Sequence, residues 1–208
     1  QDLEQTITEL LMKVAYEKPL SHRECVYQSR RTDDSAPQVD FIPSNLRLAS
    51  FELAMGTMMC REVLLKTCLE QYSSQYDYCI IDNPPDIGLN VVNALAITDE
   101  VIVPVKVDED ALEGLDIVTE QIEDAKAFNQ TLKLAGVLIT SYQNTDGEAA
   151  GVEWLEQKTD FNILGIIRYS KKVAENTFMR KPIYEYSPCC GAAQGYKKFV
   201  TAYTGKAR

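Results

Sequence analysis

Tyr78-Cys79-Ile80-Ile81-Asp82-Asn83-Pro84-Pro85-Asp86-Ile87-Gly88 is the stretch that decides the fold. A short apolar run ends in an acid and then in two prolines. Four apolar residues are enough for one buried strand and too few for a helix. Proline has no N–H and a fixed φ, so Pro84 and Pro85 cannot extend a ladder. The pattern predicts Asp82 at the carboxyl end of a buried strand, where open α/β sheets bind their ligands. An acid there can hold a magnesium ion, or a metal-bound water, beside a nucleotide triphosphate. The same acid can also serve only to cap the helix that follows.

Working outward, apolar runs and helical periodicities alternate. Leu3, Ile7, Leu10, Leu11 and Val14 predict an amphipathic helix over 3–16. Residues 17–38 are polar, with Pro19, Arg30-Arg31, Asp33-Asp34 and Pro37, and read as a loop or an insertion. Val39–Ile42 reads as a strand stopped by Pro43, with Ser44 or Asn45 capping a helix from about Leu46. Helices are predicted over 58–72, 89–97, 112–128, 148–158 and 190–203. Strands are predicted at Val101–Val105, Leu134–Thr140 and Ile163–Ile167. Continuous apolar strands alternating with helices predict an α/β fold, a mostly parallel sheet with helices on both faces, in a single domain over 1–208.

Composition narrows the function. No apolar run approaches the roughly 20 residues that span a membrane. The six cysteines are irregularly spaced with no C-x-x-C pair, which suits a reduced cytoplasm. A single histidine, His22, argues against a His-rich metal site or a His-based triad. The net charge is −10, unevenly placed. Residues 165–208 carry nine Lys and Arg against two acids, +7, while the remainder carries twelve against twenty-nine, −17. A basic end on an acidic chain points to an anionic partner, or merely balances the acidic helices.

Residues 76–115, YDYCIIDNPPDIGLNVVNALAITDEVIVPVKVDEDALEGL, resemble the central part of the ParA/MinD family of deviant Walker ATPases, most nearly its Soj-like partition branch. The family pattern there is YD-(apolar)-IID-x-PP-x-(apolar)-G, then NAL, DE-(apolar)-PV and ALEGL. Asp40-Phe41-Ile42-Pro43-Ser44-Asn45, Lys181-Pro182-Ile183, Tyr186-Ser187-Pro188, Gly191-Ala192 and Tyr196 fit as well. The resemblance covers roughly residues 39–200, and the order and spacing of these pieces make it specific.

The resemblance implies a P-loop NTPase-like fold, ATP and Mg2+ as cofactors, and an ATP-bound homodimer. It also implies nonspecific DNA and a ParB-like centromere-binding protein as partners, with a cytoplasmic, nucleoid-associated location and no membrane. Asp82 would position magnesium and water. Pro84, Pro85 and Gly88 would shape a loop that senses the γ-phosphate, with Gly88 allowing a turn. Arg168 and Tyr169 occupy the positions of a family proline loop near the adenine, with Arg168 in place of the proline and Tyr169 in place of an arginine. Lys172 matches a basic family position for DNA, joined by Arg168, Lys171, Lys197 and Lys198. Asn93 matches a helix Asn, and Asp108 an acid that can cap the next helix.

Three departures qualify this. Asp86 adds a carboxylate beside the expected nucleotide. Thr145 stands in a loop that commonly carries an arginine. No G-K-[ST] occurs, and a phosphate cradle needs successive backbone N–H groups plus a lysine. The family's first strand, phosphate loop, first helix and second strand, about forty residues, are expected to precede Gln1. As these residues stand, no ATP hydrolysis is expected. Two other readings remain: a non-catalytic scaffold of the same fold, and a MinD-like membrane-associated ATPase that would need residues 193–208 as its anchor, although these read rather as a docked closing helix.

Overall fold

The computed structural model describes residues 5–16, 18, 25–28, 39–84, 88–158 and 161–205. It divides into two compact units, Gln1–Thr98 with Ala125–Thr131, and Asp99–Asp124 with Leu132–Arg208.

The first unit is helical around a core of Leu10, Leu11, Phe51, Met55, Leu64, Leu65, Cys68 and Ala94. Helix α1, Ile7–Ala15, starts at a capping box: Thr6 accepts from the Thr8 N–H, and the Glu9 carboxylate accepts from the Thr6 N–H at 2.9 Å and from its hydroxyl. Such a cap is worth about 1 kcal/mol. The Ile7 N–H donates to the Pro43 carbonyl at 2.8 Å, tying α1 to the I-P-S-N segment. Strands β1, Tyr27–Gln28, and β2, Asp40–Phe41, pair antiparallel, so the expected 17–38 loop contains a strand. The rest of 17–38, Lys18 and Cys25–Val26 apart, lies outside the described residues.

The helix expected from Leu46 begins two residues later. The Asn45 carboxamide accepts from the Arg47 N–H at 2.9 Å and closes a turn, and α2 runs Leu48–Ala54. The helix expected over 58–72 is three pieces: 3-10 turns at Arg61–Val63 and Glu70–Gln75 flank α3, Leu64–Leu69. Helix α4, Leu89–Ile97, matches its prediction. Burial pushes the Cys68 thiol up to about 12, with the nearby Cys25 adding to the shift; none of the six cysteines is in a disulfide.

The second unit is a parallel three-stranded sheet, ordered β3-β4-β5: Glu100–Val105, Lys133–Tyr142 and Ile163–Arg168. Neighbouring residues of a strand face opposite sides. Val137 and Ile139 point to one face, against Leu115 of α5, Glu109–Ala125, and Leu155 of α6, Asp146–Lys158. Leu138 points to the other, where it meets Ala192 and Phe199 of α9, Gly191–Thr204. Helices thus cover both faces, which is why these strands read as unbroken apolar runs. Two helices escaped the sequence reading: α7, Lys171–Met179, and α8, Ile183–Tyr186. Helix α7 buries none of its residues, so no apolar stripe announces it.

Gly136 has φ +146°, and a Cβ there would stand 2.1 Å from the Asn162 carbonyl oxygen. That oxygen accepts from the Val137 N–H at 2.9 Å. The glycine is therefore required where β4 shifts register against both neighbours.

Candidate functional site

The segment carrying Asp82 differs from expectation. Tyr78–Ile81 joins no ladder among the described residues. Ile81 packs on the core of the first unit, whereas Ile80 is 92% exposed and Tyr78 58%. The apolar run demanded burial on both sides, and only one side finds it. A strand exists only through the neighbours that take its N–H and C=O groups, and those partners are non-local. The Tyr76 hydroxyl fixes the entry to this segment by donating to the Asp40 carboxylate at 2.8 Å. Asp82 and Pro84 are exposed; Pro85 and Asp86 lie outside the described residues.

Gly88 is the N-cap of α4, with φ −75° and ψ 178°, a conformation open to any residue. What distinguishes the position is a close approach. A Cβ at 88 would lie 2.3 Å from the Glu52 Oε1. That oxygen accepts from the Asn90 N–H at 3.1 Å. Further along α4, Asn93 is 2% exposed and saturates its carboxamide. Its oxygen accepts from the Leu65 N–H at 3.0 Å, and its nitrogen donates to the Arg61 and Leu89 carbonyls at 2.8 and 3.0 Å. Asn93 is a structural tie between α4 and α3. The family resemblance flagged Asn93 but not its partners, and nothing local flagged Glu52.

In the second unit, α5 begins at Glu109, directly after Asp108, whose carboxylate lies 3.9 Å from the Lys106 ammonium. Arg168 ends β5 opposite Tyr142, and the Tyr169 N–H donates to the Tyr142 carbonyl at 2.9 Å. Ser170 caps α7 by accepting from the Lys172 N–H. The chain from Arg168 to Lys172 is thus one exposed strand-to-helix turn, with Tyr169 51% exposed.

The two expected cations on α7 are not equivalent. The Lys172 ammonium is 2.6 Å from the Glu175 carboxylate and 5.8 Å from the centre of the Tyr186 ring. The Tyr186 hydroxyl donates to the same carboxylate at 2.8 Å. Hydrogen bonding and charge attraction from Glu175 raise the Lys172 pKa, while the Lys172 and Tyr186 hydrogen bonds lower that of Glu175. Lys171, Lys197 and Lys198 have no ion-pair partner among the described residues. Lys197 and Lys198 sit on α9, whose inner face is spent on β5. Thr145 serves α6: it exchanges hydrogen bonds with Glu148, whose carboxylate also accepts from the Gln143 N–H.

Magnesium is satisfied by one or two carboxylates plus substrate phosphates and water. The exposed Asp82 carboxylate fits such a single-ligand role. Among the described residues, no group of three or more His, Cys, Asp or Glu is placed to hold a metal by itself. No helix of the described residues is long and apolar enough to cross a membrane.

A family model described as "AAA domain" matches residues 1–134. The sporulation initiation inhibitor protein Soj of Bacillus subtilis is 33% identical over 163 residues, covering 76% of this chain and 64% of Soj. A plasmid partition protein from Borrelia burgdorferi has a TM-score of 0.65 at 24% identity, over 95% of this chain and 74% of that one. Cobyrinic acid a,c-diamide synthase from Mycobacterium smegmatis, solved with a bound ATP analog and magnesium, has a TM-score of 0.75 at 22% identity, over 99% and 76%. The chain spans less than two thirds of Soj; the solved structures establish likeness of fold.

Proposed function

The chain belongs to the ParA/MinD-type ATPase family, and on that premise we propose that it acts in DNA partition, as the core of an ATPase that dimerises with ATP and rides on nonspecific DNA. The observation that carries this reading is the ordered run from Tyr76 to Leu115, in which the acid, the Pro-Pro turn, the NAL helix and the ALEGL helix keep family order and spacing. ATP and magnesium are the proposed cofactors. Asp82 would hold the metal, Pro84, Pro85 and Gly88 would shape the loop that senses the γ-phosphate, and Arg168 and Tyr169 would border the base. When bound, the metal neutralises charge that develops on the transferred phosphoryl group. This chain's own part is to present the Asp82 carboxylate from a segment anchored by Ile81, which packs on the core of the first unit.

The DNA-binding proposal rests on Arg168, Lys171, Lys197 and Lys198, with Lys172 contributing less because Glu175 already compensates its charge. Phosphate contacts release counterions, so binding should weaken steeply with salt and ignore base sequence. A ParB-like centromere-binding protein is the proposed second partner. A cytoplasmic, nucleoid-associated place follows from this reading, with the chain acting as a single ParA-like domain.

Nucleotide hydrolysis needs the phosphates cradled, and these 208 residues carry no Gly-rich lysine loop. The test is therefore made on a chain joining a phosphate loop to these residues. Asp82→Ala should abolish ATP turnover while leaving the circular dichroism spectrum unchanged. Unaltered turnover would refute the assignment. Absence of turnover in the parent would favour a non-catalytic scaffold.

A further inference from the structure

Helix α4 begins with a residue that cannot cap it. Gly88 has no side chain, and no side-chain cap bond is made from that position. The first-turn N–H groups of a helix need acceptors, and those of the second and third residues are the usual targets of a cap. Here the Asn90 N–H, second in α4, is taken by Glu52 Oε1 at 3.1 Å. Glu52 lies 38 residues away, on α2 beside the buried Phe51. Its carboxylate lies over Gly88: a Cβ there would meet Oε1 at 2.3 Å, Cδ at 3.0 Å and Oε2 at 3.1 Å.

We propose that Glu52 is the N-cap of α4 supplied from a distant helix, a positioning residue that latches α2 to the end of the segment following Asp82, and that position 88 is a glycine to admit it. The negative carboxylate also matches the positive end of the helix. With that acceptor in place, the start of α4 is already supplied with an anion. The latch belongs to the fold of the first unit and does not depend on the nucleotide reading.

The proposal makes residues 52 and 88 interdependent, and a double-mutant cycle on the 208-residue chain tests it. In Glu52→Ala, the Asn90 amide should exchange with deuterium about fivefold to tenfold faster, the range expected for loss of a cap. Glu52→Gln keeps an acceptor and should retain most of the protection. Gly88→Ala should mimic Glu52→Ala, because the new methyl group evicts the carboxylate. In the double variant, Gly88→Ala should add nothing to the effect of Glu52→Ala. Parental protection of Asn90 in Glu52→Ala, or additive effects of the two substitutions with circular dichroism unchanged, would overturn the proposal.

Discussion

Asn93→Asp replaces a buried carboxamide by a group of the same shape and nearly the same helix propensity, so packing and propensity drop out of the comparison. The new side chain can still accept from the Leu65 N–H. It cannot donate to both the Arg61 and Leu89 carbonyls, which approach the carboxamide nitrogen at 2.8 and 3.0 Å. Ionised, it places a charge against two carbonyl oxygens in a site 2% exposed. Protonated, it satisfies one carbonyl and leaves the other facing an oxygen. Each unsatisfied buried group costs about 1–3 kcal/mol, and the Leu89 carbonyl keeps a helical partner, so the net loss should be about 2–4 kcal/mol. At about 2–4 °C per kcal/mol for a chain of this size, the midpoint should fall by about 5–15 °C. Urea unfolding followed by far-ultraviolet circular dichroism measures the loss directly, with an unchanged m-value showing that stability alone moved. Asn93→Ala should cost a similar amount, since it orphans the Leu65 N–H. An Asn93→Asp variant within about 0.5 kcal/mol of the parent would refute the three-bond account.

Gly136→Ala should destabilise the sheet unit by about 2–4 kcal/mol in the same assay, because its methyl group meets the Asn162 carbonyl and the backbone is held at positive φ; loss below about 0.5 kcal/mol would contradict this. Acid should weaken the start of α1. Burial pushes the Glu9 carboxyl up, but hydrogen bonds from Thr6 and the Arg47 charge outweigh it and hold it below its ordinary 4.5. The unfolded chain then binds the extra proton first, so this contribution is present above 4.5 and is lost as pH falls through the lower folded value. Glu9→Gln should flatten the stability-against-pH slope in that window, and an unchanged slope would remove the cap from the account. In the full ATP-bound protein, Lys171→Gln should reduce both DNA affinity and its salt slope more than Lys172→Gln, because Glu175 already compensates Lys172; fluorescence anisotropy in a salt series gives the ranking, and equal slopes would show that α7 does not touch phosphate.

The sequence by itself determined the alternation of elements in the second unit. Leu134–Thr140 is covered on both faces, and Val101–Val105 and Ile163–Ile167 are partly buried beside it, so each reads as an apolar run at the place where a strand forms. Helix α4 was legible to the residue, because a Pro-Pro turn and Gly88 punctuate its start. The ordered motifs around Asp82 were enough to identify the family.

Local pattern did not determine what depends on distant partners. Tyr78–Ile81 has the composition of a buried strand, yet its pairing is set by whichever backbone lies alongside, and Ile80 stands exposed. Helix α7 buries nothing, so it left no periodic trace. Lys172 looked like a free cation until the fold set Glu175 and Tyr186 around it. Gly88 reads as a turn residue, but its φ is ordinary, and the fold brings the Glu52 carboxylate from α2 against it. A single sequence records each residue's own preferences for burial, φ and charge. Which carboxylate fills a helix start, or which carbonyl faces a carboxamide, is settled only when chain segments tens of residues apart are packed together.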